Sequence, residues 1–278
     1  MRPTPSGAAA SPAVILCRPA GQNEPLAERL RAAGRAVLCV PALSLAPMDE
    51  VPIPPLDDVD LVVFVSGNAA RFFLDRRLRD APGAPWPAHL AAATVGPGSA
   101  SAVRAHPAFG LHAELVTPPS CAAQFDSEAL WHTLQQRARP LRRVLIVRGT
   151  QGRDWLADRL RAAGVTVLIH TAYRRTPAAW APEARVALHA MSARGEPAIW
   201  LLTSVEGVDA VRAQIDADGL AAWWLRCRFI ATHPRIANHV TAVWQDISLQ
   251  LGGGGGTIVL QTCPAGDDAA VAAIESIA

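Results

Sequence analysis

The residues best placed for chemistry are arginines and small hydrogen-bonding side chains standing where apolar runs give way to amphipathic ones. They are Arg18, Ser66, Asn68, Ser99, Arg148, Thr203, Ser204, His233 and Arg235. Each precedes a predicted helix, whose first N–H groups have no intrahelical acceptor and whose dipole attracts negative charge. Arginine adds a planar, permanently charged fork that matches carboxylates. The set reads as an anion-receiving cleft. Plainer roles compete: Ser66 and Ser204 could serve only as helix caps, and Arg18 and Arg148 as surface salt-bridge partners. Tyr173 is the only tyrosine of the chain. A phenol keeps its proton at neutral pH and can donate it or a hydrogen bond; the competing role is an aromatic plug.

Other chemistries are absent from the sequence. All 26 basic residues are arginine, which removes Schiff-base mechanisms and the P-loop lysine. Gly96-Pro97-Gly98 is a poor dinucleotide fingerprint, because Pro interrupts it and it does not complete the spacing. The run Gly252–Gly256 precedes an apolar run instead of following one, so it reads as a flexible loop and not a phosphate cradle. No HxxxH, HExxH or CxxC pair offers a metal site, and no GxSxG offers a nucleophile elbow. His233 is the only histidine at a predicted junction, with no acid placed by sequence to orient it. What is left is catalysis by positioning and one weak acid or base. Against 24 acids the formal charge is only +2, which argues against nucleic acid as a partner. No apolar run reaches the ~18 residues that span a bilayer. Residues 1–13 lack an apolar stretch and read as a loose tail, not a signal peptide. Five scattered cysteines without a CxxC fit a reducing cytosol.

A repeat shows which elements must hold these residues. Residues 14–40 and 144–170 align without a gap, Val14 on Val144, at an offset of 130. Arg18/Arg148, Leu26/Leu156, Arg29/Arg159, Leu30/Leu160, Gly34/Gly164 and Val37/Val167 are identical pairs. Each copy is an apolar run, an amphipathic stretch ending at Gly, and a second apolar run: strand, helix with a glycine C-cap, strand. The same alternation continues. Predicted strands at 60–66, 90–95, 198–204 and 227–231 each lead into a helix, including 67–78 and 205–215. A strand at 257–261 and a helix at 267–277 close the chain. Strands alternating with helices, and apolar on both faces, predict an α/β fold of two similar lobes, each a parallel sheet flanked by helices. Such lobes usually meet at a cleft that receives ligand at the carboxyl ends of the strands. Segments 41–58 and 171–182 carry Pro and few charges at the same relative place in each copy, and are the candidate hinges. Trp155, Trp200, Trp223 and Trp224 fall in predicted strands or helices and read as core.

Taken in order, these residues resemble the uroporphyrinogen-III synthase family. The resemblance rests on Arg18-Pro19 with Leu26, Leu30 and Gly34, on Phe64-Val65-Ser66-Gly67-Asn68-Ala69, and on Val95-Gly96-Pro97-Gly98-Ser99-Ala100. It continues through Val147-Arg148-Gly149, Gly152-Arg153, Tyr173-Arg174-Arg175-Thr176, Leu202-Thr203-Ser204 and His233-Pro234-Arg235-Ile236-Ala237. It covers the chain from about Val14 onward. Ser99 stands where many relatives have Thr, and His233-Pro234-Arg235 replaces a Gly/Thr-rich turn of some members. The resemblance implies two α/β lobes joined by a pair of antiparallel strands, a two-strand hinge. It also implies a discontinuous domain, 1–42 with 178–278, and an inserted one, 43–177. The implied reaction is cofactor-free cyclisation of the linear tetrapyrrole hydroxymethylbilane to uroporphyrinogen III, with inversion of ring D and loss of water, by way of an azafulvene and a spiro intermediate. The eight carboxylates of that substrate suit arginines and helix N-termini. Tyr173 matches the family's hinge tyrosine and is the expected catalytic group, with the nine junction residues as substrate-binding groups. A cytoplasmic monomer without metal, cofactor, nucleic-acid or membrane partner is expected. A two-lobe non-catalytic binding protein for an anionic small molecule is the main alternative; a two-lobe sugar transferase is a third, lacking any nucleotide-sugar contact.

Overall fold

A computed structural model describes residues 11–110, 112–122, 124–253 and 256–278. The first ten residues of the predicted tail, and residues 254 and 255 of the glycine run, lie outside this set. Along the chain run β1 (Val14–Leu16), α1 (Glu24–Ala32), β2 (Val37–Cys39), β3 (Leu43–Pro47), β4 (Leu61–Phe64), α2 (Gly67–Asp80) and β5 (Ala91–Thr94). Next come α3 (Pro97–Arg104), β6 (Leu115–Val116), α4 (Ser127–Gln135), β7 (Arg143–Gly149), α5 (Trp155–Ala162), β8 (Thr166–Pro177) and α6 (Pro182–Ala193). The last are β9 (Ile199–Leu202), α7 (Val205–Ala217), α8 (Ala221–Trp224), β10 (Arg228–Ala231), α9 (Pro234–Gln250), β11 (Val259–Thr262) and α10 (Asp267–Ile277). No helix among the described residues is long and apolar enough to cross a membrane.

The chain forms two compact units, one from the chain up to Ser44 with Thr176–Ala278, the other from Leu45–Arg175. The first holds a five-stranded sheet in the order β11-β10-β9-β1-β2, and every neighbouring pair is parallel. The second holds β3-β8-β7-β4-β5-β6, parallel from β8 to β6. Written from the repeat outward, β2-β1-β9-β10-β11 and β8-β7-β4-β5-β6 are the same spatial order. The repeated strand–helix–strand opens one unit and closes the other, so the units are circular permutations of one plan.

The repeat glycines do what the pattern asked. Gly34 and Gly164 have φ of +80° and +81°, a backbone region open to glycine without a Cβ penalty. In both copies the same pair of bonds ends the helix: Gly34 N–H to Arg31 O and Arg35 N–H to Leu30 O, and Gly164 N–H to Arg161 O and Val165 N–H to Leu160 O. This is the Schellman pattern, which satisfies the last helical carbonyls.

Alternation along each strand supplies two cores per sheet. In the first unit Ile15, Trp200 and Phe229 face α6–α9, while Val14, Leu16, Ile199 and Ile230 face α1 and α10. In the second, Val62, Phe64, Leu145 and Val147 face α2 and α3, and Leu61, Val63, Val144 and Ile146 face α4 and α5. Trp200, Trp223 and Trp224 are core residues as predicted. Segments 41–58 and 171–182 are not irregular connections: they contain β3 and the second half of the 12-residue β8. β3 lies beside β8. Ala178 N–H donates to Ala42 O and Met48 N–H to Ala172 O, the opposed order of antiparallel partners. Helix α6, which the apolar pattern did not single out, begins within the second of these segments.

Candidate active site

In an open parallel sheet, ligands bind beyond the carboxyl ends of the strands, where successive helices change face. In the second unit that place lies between β4 and β7, since α2 packs on one face and α5 on the other. There the chain places Ser66, Gly149 and Tyr173 together. Ser66, two residues beyond β4, has extended backbone and caps α2, its Oγ accepting from Ala69 N–H at 3.1 Å. The same Oγ lies 3.3 Å from the Tyr173 hydroxyl. The Arg175 Nη2 donates to that hydroxyl at 2.6 Å, and its guanidinium carbon lies 5.4 Å from the ring centre. Phe72 stacks on the ring at 5.2 Å and 13°.

A bulge aims Tyr173. The β7–β8 register runs evenly to Arg148↔Thr171, then skips Ala172 to pair Gly149 with Tyr173. Strict alternation would put residue 173 on the opposite face from 168 and 172. The extra residue turns it instead into the core shared with Phe64, Phe73 and Ala172. Gly149 is required by closeness, because a Cβ there would lie 2.9 Å from Tyr173 Cζ. Tyr173 is fully buried, so it is an aromatic plug and also a hydrogen-bonded phenol. After β5, α3 follows Gly96 with no side-chain cap and with Pro97 in its first turn, where Ser99 is half-buried. A Cβ on Gly67 would lie 3.9 Å from Ser99 Cα, so the α2 and α3 N-termini are neighbours. Asn68 is in the first turn of α2. Arg148, at the end of β7, is paired with Asp154, and Arg153 makes a two-pronged bond to Glu128 at 2.6 and 2.8 Å.

In the first unit the corresponding place lies between β1 and β9, with α1 and α7 on opposite faces. Arg18 follows β1, and its Nη1 pairs with Asp267 at the start of α10 at 2.6 Å. Both repeat arginines thus make ion pairs, with different acids in the two copies. Asn23 fixes the Arg18 backbone: its Oδ1 accepts from Arg18 N–H at 3.1 Å and its Nδ2 donates to Arg18 O at 2.9 Å. Ser204 caps α7 through Gly207 N–H at 3.0 Å, next to Thr203 at the end of β9. His233 caps α9, its Nδ1 accepting from Arg235 N–H at 3.0 Å. A histidine in this role reads as local structure and not as a base.

Sequence reasoning missed Asn23, Gly149, Arg175 and Asp267 as supporting residues. Arg175 had a signal, two residues beyond Tyr173 on one strand; Asp267, 249 residues from Arg18, had none. Thiol nucleophiles are disfavoured: burial pushes Cys227 up to about 11 and Cys17 further still. Among the described residues no three His, Cys, Asp or Glu side chains gather as a metal site.

A family model described as uroporphyrinogen-III synthase HemD matches residues 24–247. The uroporphyrinogen-III synthase of Salmonella typhimurium (strain LT2) is 27% identical over 243 residues, 85% of this chain and 94% of that one. That of Synechococcus elongatus is 29% identical over 182 residues, 63% of this chain and 65% of the other. Two solved structures share the fold. A mutant uroporphyrinogen III synthase from the extremely thermophilic bacterium Thermus thermophilus gives a TM-score of 0.54 at 16% identity, covering 95% of this chain and 98% of that one. The uroporphyrinogen-III synthetase from Helicobacter pylori 26695 gives 0.53 at 12%, covering 96% and 100%. The matched stretch begins at α1 and ends in α9, and so takes in Ser66, Gly149, Tyr173 and their supporting strands: the chain belongs to the uroporphyrinogen-III synthase family.

Proposed function

We propose that this chain cyclises hydroxymethylbilane to uroporphyrinogen III, inverting ring D and releasing water, as a lyase of tetrapyrrole (haem) biosynthesis. The family match across residues 24–247 carries this reading. Membership in a synthase family also disfavours the non-catalytic binding alternative.

The site we assign is the Tyr173–Ser66–Arg175 group, where departure of the substrate hydroxyl is assisted. The hydrogen-bonding and cationic groups at the carboxyl ends of the two sheets receive carboxylates: Asn68, Ser99 and Arg148 in the unit that holds Ser66, and Arg18, Thr203, Ser204, His233 and Arg235 in the other. Two features support this. The α3 N-terminus lacks a side-chain cap, which suits an anion. Arg18 and Arg148 already hold one carboxylate each, in Asp267 and Asp154, and have the chemistry to hold a substrate's instead. The folding domains we assign are 1–42 with 178–278, and 43–177. The enzyme acts as a cytoplasmic monomer, on a small tetrapyrrole and without cofactor, metal, nucleic acid or membrane. The five cysteines, all unpaired, suit a reducing compartment. The test is to incubate purified protein with freshly made hydroxymethylbilane and separate the product isomers. Isomer III is expected; isomer I alone, the product of spontaneous closure, would sink the reading.

A further inference from the structure

Hydrogen-bond direction within the Tyr173 group identifies the atom that meets the substrate. Arginine only donates, so the bond from Arg175 Nη2 uses acceptor capacity of the Tyr173 oxygen. Tyr173 is fully buried, and a buried hydroxyl hydrogen needs an acceptor. Ser66 Oγ at 3.3 Å is the acceptor present. Ser66 Oγ also accepts from Ala69 N–H, so both its lone pairs are used. With the phenol as donor, the Ser66 hydrogen is left for a third partner, and Ser66, unlike Tyr173, is partly exposed, just beyond the carboxyl end of β4.

We propose that Ser66, and not Tyr173, is the catalytic residue that hands a proton to the departing hydroxyl, with Tyr173 and Arg175 as positioning residues behind it. This rests on the synthase reading above. As the carbon–oxygen bond of the hydroxymethyl group breaks, the oxygen keeps the bond electrons, takes the Ser66 hydrogen and leaves as water. The Tyr173 hydrogen passes to Ser66. The negative charge left on the phenol oxygen faces the Arg175 guanidinium, and the substrate is left as the azafulvenium cation. The former hydroxymethyl carbon first bonds to the substituted α-carbon of ring D, giving the spiro intermediate. The older bond from ring D to its bridging methylene then breaks. The second azafulvenium so formed bonds to the unsubstituted α-carbon of ring D, which releases its hydrogen as a proton as the ring regains aromaticity. That proton returns through Ser66 to Tyr173, so none is gained or lost over the cycle.

The experiment measures kcat, KM and isomer III yield for the full-length wild type and variants. Ser66→Asn keeps a capping oxygen but no hydroxyl, and Ser66→Thr keeps both. Expected are a fall in kcat of about tenfold or more for Ser66→Asn and for Tyr173→Phe, little change in KM, and recovery in Ser66→Thr. The Ser66→Asn/Tyr173→Phe double variant should be no slower than the worse single one, within about twofold, since the two act as one unit. Arg175→Gln should slow the wild type but not the Tyr173→Phe background. Wild-type kcat in Ser66→Asn, or multiplicative losses in the double variant, would overturn the relay while leaving the synthase reading intact. Wild type that yields no isomer III would overturn both.

Discussion

Gly149→Ala tests the claim that Tyr173 is held by closeness on every side. Gly149 is not among the residues with positive φ, so alanine brings no backbone penalty there. What it brings is a Cβ at 2.9 Å from Tyr173 Cζ and 3.2 and 3.3 Å from the two Cε atoms. Ordinary contact begins at 3.4 Å, so the ring must retreat by about 0.5 Å. It cannot do so cheaply. Phe72 is stacked against it, and its hydroxyl is bonded to Ser66 and Arg175. Forced overpacking of this kind costs about 1–3 kcal/mol, or about 2–4 °C of melting temperature for each kcal/mol. The same shift lengthens a Tyr173–Ser66 bond that is already long, so isomer III turnover should fall further than stability alone explains. The assay is thermal and urea unfolding of Gly149→Ala in two backgrounds, wild type and Tyr173→Leu. Removing the ring removes the obstacle, so the alanine penalty should largely vanish in the second background, a coupling of about 1 kcal/mol or more. An equal penalty in both backgrounds would refute the reasoning, as would a penalty below about 0.5 kcal/mol in the wild type.

Two other predictions concern buried polar groups. Asn23 is fully buried, and Asn23→Leu leaves the half-buried Arg18 backbone N–H and C=O without their side-chain partner. A loss of about 2–4 kcal/mol in chemical denaturation is expected, and a loss below about 1 kcal/mol would show that the loop re-pairs. His170 is held below the ordinary histidine range by burial; its bond to the Pro52 carbonyl opposes this and the nearby Arg76 charge adds to it. With the folded value below the unfolded one, the unfolded chain binds the extra proton. Stability is therefore intact above about pH 6.5 and declines as pH falls from there toward the folded value. His170→Phe should flatten melting temperature against pH across that window, and an unchanged slope would contradict the assignment.

Local rules made much of this fold legible. The glycines at 34 and 164 announced two helix ends, and both carry the same pair of capping bonds. The predicted helix at 267–277 coincides with α10, because two acids open it and apolar residues repeat at helical spacing behind them. What depends on partners distant in sequence was not legible. The repeat announces two equivalent copies, but which strands each copy joins is decided by sheet pairing, so the repeat alone does not reveal the permuted chain order, which the family resemblance implies. The Ala172 bulge leaves no mark on residue types, yet it decides which way Tyr173 points. Ser66 was legible as a cap and as a candidate site residue, and it is a cap bonded to the phenol. The serine and histidine junctions were ambiguous for one reason: a group that can bind an anion at a helix N-terminus can also satisfy that terminus itself.

The most direct test of the central claim is the isomer ratio formed from fresh hydroxymethylbilane as the protein concentration is raised. Spontaneous closure to isomer I runs at a fixed rate, so a synthase must win an increasing share of the substrate. The account predicts that the fraction of isomer III climbs toward unity with added protein. A product that stays isomer I at every protein concentration would contradict it.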